Sequence, residues 1–91
     1  MSSLDEVFDQ MRALQQSLKE FNDTLRFSAS SLAKTHEEVS SLWRDAAAAK
    51  YQLSYQPLAE SLENYIRSDA PRFERFLENK VRQLEHYLTG E

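Results

Sequence analysis

Cysteine is absent from these 91 residues, glycine occurs once (Gly90) and proline twice (Pro57, Pro71). Without cysteine the chain has no disulfide and no thiolate metal site, and its redox compartment is left open. So little glycine and proline excludes most turn-rich β architectures and every glycine-rich phosphate cradle. Long apolar runs are missing too, and nothing approaches the roughly 18 residues of a membrane span. A concentrated basic stretch is the last absence. Fifteen acidic residues against eleven basic give a formal net charge of −4, whereas nucleic-acid binding needs a clustered basic face. Asp5, Glu6 and Asp9 stand where a secretory signal would carry positive charge and then an apolar run. The expectation is synthesis in the cytoplasm without a signal peptide, with any export by a route that needs none.

What is present is helical periodicity on either side of the single tryptophan. The first arm places Leu4, Met11, Leu18, Leu25, Leu32 and Val39 at one set of sevens. Val7, Leu14, Phe21, Ser28, Thr35 and Leu42 form the second. Ten of these twelve are apolar, the a/d pattern of a helix in a left-handed bundle. The small-residue run Phe27 to Ser31 lowers helix propensity. It reads as continuous helix open to close approach by a neighbour, or as a local break near Ser30.

The second arm begins after Asp45, an N-cap residue type followed by four alanines. Its apolar stripe steps in threes and fours from Tyr51 through Leu58, Leu62 and Ile66 to Phe73, Leu77, Leu84 and Leu88. The stripe changes register between Leu62 and Phe73. Pro57 should kink the helix. Ser68-Asp69-Ala70-Pro71 allows either a continuous, bent arm or a separate helix from about Pro71.

The predicted fold is therefore all-α: one helical-hairpin domain over 1–91, with arms at about 4–42 and 46–88 and a turn at 43–45. Arms of some 40 residues would span roughly 60 Å. Phe8 and Phe27 lie off the first seam, while Tyr51, Phe73, Phe76 and Leu77 widen the second stripe. That surplus predicts a dimer forming an elongated four-helix bundle, with Phe8, Phe27, Tyr51, Phe73 and Phe76 as interface candidates.

The stretch Leu42-Trp43-Arg44-Asp45-Ala46-Ala47-Ala48-Ala49-Lys50-Tyr51 resembles the turn of the WXG family, small bacterial helical hairpins associated with type VII secretion. It has the tryptophan, the small residues and an aromatic eight positions on. Asp45 stands where the family has glycine. The likeness covers the whole chain in architecture and mainly positions 42–66 in residues. It implies a non-enzymatic secretion substrate or partner, a homodimer or paralogous heterodimer, and contact with a secretion ATPase. It also implies that Trp43 and Asp45 form the turn motif. The family's export signal, tyrosine with an acid four residues on, has matches at Tyr87 with Glu91 and at Tyr65 with Asp69. The first is the better placed. An intracellular adaptor that is not exported is the competing reading.

Catalytic chemistry is not expected. Di-iron bundles use Glu-x-x-His, but Ala33 and Gln83 precede His36 and His86 at that spacing. His36-Glu37-Glu38 reads as a solvated patch, and His86 as a complement to the helix C-terminus. The basic residues from Arg67 to Arg82 interleave with Glu74 and Glu78 as surface ion pairs. No catalytic, cofactor or metal site follows.

Overall fold

The computed structural model describes residues 3–90. Helix α1 spans Ser3–Leu42, α2 spans Ala46–Asn64, a π turn covers Tyr65–Asp69, and α3 spans Ala70–Thr89. Among the described residues there is no strand. The hairpin measures 65 × 17 × 16 Å with a radius of gyration of 19.9 Å, against about 12 Å for a compact chain of this length. It is a rod.

Helix α1 runs unbroken through Phe27–Ser31, so the serines do not interrupt it. Asp5 and Glu6 sit in its first turn, where the helix dipole favours negative charge. The turn is held from both sides. The Trp43 amide donates to the Val39 carbonyl at 2.9 Å, closing α1. Asp45 takes extended backbone geometry (φ −86°, ψ −175°) and accepts from the Ala48 amide at 3.0 Å, opening α2. At the far end Gly90 closes α3 in the left-handed region (φ 75°), donating its amide to the His86 carbonyl. Glycine adopts that geometry without a Cβ penalty.

The seam between the arms departs from the a/d expectation for a physical reason. The inward stripe of α1 begins Leu4, Phe8, Met11, Gln15, Leu18, Asn22 and reaches His36 and Ser40. Leu4 to Ser40 is 36 residues, ten turns of straight helix at 3.6 per turn. The sequence pattern instead repeats at 3.5, so a heptad position drifts about 20° per repeat around a straight helix. Val7, Leu14 and Phe21 show that drift directly, being 47%, 51% and 58% exposed in turn. The first heptad set meets the second arm only as far as Leu25, with Leu32 and Val39 turning outward at 41% and 38% exposure. The other is left outside.

The second arm is continuous through Pro57 and through Ser68 to Pro71, and a π turn joins α2 to α3 where a separate helix was the alternative. Leu62, Ile66, Ala70 and Glu74 all turn inward, which asks for twelve residues in three turns. An α-helix supplies about 10.8. The surplus of about one residue is what a π turn accommodates, and the Ala70 amide accordingly donates to Tyr65, five residues back. Pro71 has no N–H and crowds the carbonyl four residues before it, so the wider turn also relieves its ring. Beyond it, Ala70, Leu77 and Val81 are buried on α1.

Candidate functional site

The stripe left outside shapes one flank of the rod. From Val7 to Thr35 the d and g positions of α1 read Val7, Gln10, Leu14, Ser17, Phe21, Thr24, Ser28, Ser31 and Thr35, without one charge. Charges sit instead at neighbouring positions such as Asp9, Arg12, Lys19 and Asp23. Helix α3 continues the same flank. Val7 and Met11 share a shallow cleft of about 340 Å³ with Lys80, Gln83, Leu84 and Tyr87. Phe73 and Phe76 lie on the Lys80 side of α3, 48% and 55% exposed. The Lys80 ammonium sits 5.4 Å from the Phe76 ring centroid, so the single cation of this flank rests on an aromatic face.

The interface candidates thus separate. Phe73 and Phe76 join Val7, Leu14 and Phe21 on this apolar flank. Phe8 is half-buried at the edge of the seam, with the Arg12 guanidinium 5.7 Å from its ring centroid. Phe27 is 75% exposed at a position turned away from the seam. Tyr51 belongs to an intrachain cluster at the turn.

That cluster is built from the tryptophan outward. Trp43 packs on Tyr51 with centroids 5.6 Å apart, leaving the indole partly exposed. Tyr55 stacks on His36 at 3.7 Å with planes 11° apart. The His36 Nδ1 is 3.0 Å from the Tyr51 hydroxyl, its Nε2 is 3.4 Å from the Ser40 hydroxyl, and Gln52 donates to Ser40 at 2.7 Å. His36 is therefore a half-buried strut between the arms and not a solvated patch. The sequence pattern gives His36-Glu37-Glu38 as a solvated patch; the straight-helix stripe turns His36 inward.

A second polar cluster carries no signal in the sequence pattern. Asn22 is 1% exposed. Its Oδ1 accepts from the Tyr65 hydroxyl at 2.8 Å, and its Nδ2 donates to Glu74 at 2.8 Å. Arg26 donates to the same Glu74 oxygen at 3.1 Å and to Asp23 at 2.9 Å. The Asn22 hydrogen bond holds the Glu74 carboxyl below its ordinary value, with burial opposing, and Arg26 and Lys19 lower it further. Among the described residues no buried side-chain polar atom lacks a partner.

The two tyrosine–acid pairs have different surroundings. Tyr65 spends its hydroxyl on Asn22, and Asp69 pairs with Arg72 at 2.9 Å. Tyr87 is 80% exposed, while Glu91 lies outside the described residues. Among the described residues no three His, Asp or Glu side chains converge as metal ligands. No helix there is long and apolar enough to cross a membrane. Comparison with family models, with curated proteins and with solved structures returns no match.

Proposed function

We propose that this chain is a non-enzymatic interaction protein of the WXG-like kind. Two hairpins pair through this apolar flank into an elongated four-helix bundle, and the assembly serves type VII secretion as substrate or partner. The observation that carries the pairing is the flank itself. A contiguous exposed apolar surface with little charge marks a contact surface. With aromatic side chains able to bury about 150–250 Å² each, two such flanks would cover roughly 1,000 Å², the lower bound for a specific interface. A chain of net charge −4 also meets its own copy at least cost on a face with no acidic residue on its α1 stripe and Lys80 as its cation. A paralogue with a similar flank would serve equally.

The secretion role is supported by the tryptophan turn and by Tyr87, which is 80% exposed at the chain-end tip of the rod, where a receptor such as a secretion ATPase would reach it. Removing residues 87–91 in the native host should abolish export while leaving the melting temperature nearly unchanged, since Leu88 alone of residues 87–90 is appreciably buried. Undiminished export of the truncated chain would remove Tyr87 and Glu91 from the proposal.

One observation favours the intracellular adaptor. Asp45 builds the turn by capping α2 at an ordinary negative φ, so the turn has no need of the family's glycine. A host that never exports the intact chain would select this second reading.

A further inference from the structure

The two halves of the hairpin are unequally closed. Toward the chain ends, α3 seats Ala70, Leu77 and Val81 on α1, all buried. Toward the turn, Ala48 is the only buried residue of α2, and the contact with α1 is made by the His36, Ser40, Tyr51, Tyr55 and Gln52 side chains. Between cluster and π turn the groove between the arms is unfilled. An open slot of about 350 Å³ is lined by Ala29 and Ala33 of α1 and by Ala59, Leu62 and Ile66 of the second arm. The small residues that could have drawn the helices together leave a gap, because Ala59 faces them. At the end of that gap lies the Asn22–Tyr65–Glu74–Arg26 cluster.

We propose that the hairpin opens in two stages. Helix α2 leaves α1 first, and the polar cluster at the π turn is the clasp that stops the opening before α3. Local opening free energy follows buried apolar contact, and the side chains lining a gap lack attractive partners on its open side. Helix α2 is weak on both counts and α3 is strong. The clasp makes the boundary sharp. Asn22 is enclosed, so parting it from Tyr65 or Glu74 leaves buried amide groups unpaired, a cost beyond the loss of the bonds themselves. Tyr65 is also the first residue of the π turn, where the α-type ladder has already changed spacing. Unwinding that arrives from α2 meets a break in the helix and a tethered side chain at the same level.

The opening is independent of whether the chain is exported, and amide hydrogen exchange of the full chain reads it directly. Corrected for intrinsic rates, amides of residues 46–64 should exchange at least about tenfold faster than those of residues 74–84, with the step at 65–69. Tyr65→Phe strips the hydroxyl from Asn22 and should move the step into α3, speeding exchange at residues 70–77 by about tenfold. Ala59→Leu fills the slot and should slow α2 by a similar factor while α3 stays unchanged. Equal protection of α2 and α3 in the native chain overturns the proposal. So does a Tyr65→Phe profile identical to the native one. If Tyr65→Phe fails to fold, Ala59→Leu decides alone, and unchanged α2 rates in that variant refute the two-stage opening.

Discussion

At the residue scale, Asp45 and Asn22 mark the two extremes of what a sequence discloses. A cap is local: its donor is three residues away, so Asp45 before four alanines could be read without any fold. Asp45→Ala should cost about 0.5–2 kcal/mol in a thermal or urea melt, and Asp45→Gly only a few tenths. An alanine variant as stable as the native chain would place the start of α2 elsewhere. Asn22 is the opposite case. Its partners lie 43 and 52 residues away, and it falls off both sets of sevens, so it reads as surface. Only the straight-helix stripe brings it inward. Glu74, tied to it, has a carboxyl held below its ordinary value of 4.5 by Asn22 and then Arg26. A carboxyl lowered in the folded state stabilises the fold above its unfolded value, and that contribution disappears as pH falls through the folded one. The melting temperature should therefore drop on acidification below about pH 4.5, and Glu74→Gln should flatten that part of the profile. A variant profile parallel to the native one would show that Glu74 does not carry the effect.

At the element scale, the helices were legible because periodicity is a property of neighbours in sequence. The length of α1, the start of α2 and the change of register after Leu62 all follow from it. The form of that change was not legible, since both a bend and a separate helix satisfy proline's restrictions. The inward set Leu62, Ile66, Ala70, Glu74 becomes visible only once the facing helix is known, and with it the surplus residue that makes a π turn. Deleting Ser68 leaves eleven residues for three turns, close to α-helical spacing. Combined with Pro71→Ala, which restores the missing amide, that deletion should leave the melting temperature close to native. An alanine inserted after Ser68 raises the surplus to about two residues and should lower it sharply. Equal damage from deletion and insertion, measured by circular dichroism melts, would refute the spacing argument.

At the scale of the whole molecule, a mismatch between two periods accounts for the shape of the surface. The sequence repeats at 3.5 residues and a straight helix at 3.6, so a hairpin satisfied by one stripe leaves Val7, Leu14 and Phe21 progressively outside. The sequence already implied that apolar width exceeded what two helices cover. It misplaced part of the excess, because Phe8 and Tyr51 are used within the chain while Phe21, assigned to the seam, is not. Supercoiling around a second hairpin would let both stripes be buried together. That pairing through the apolar flank is the central claim, and sedimentation equilibrium at micromolar concentration tests it most directly. The predicted result is a species of twice the 10.6 kDa chain mass, reduced to one chain by Phe21→Glu with Phe73→Glu while helicity is retained. A native 10.6 kDa monomer that melts cooperatively would contradict it.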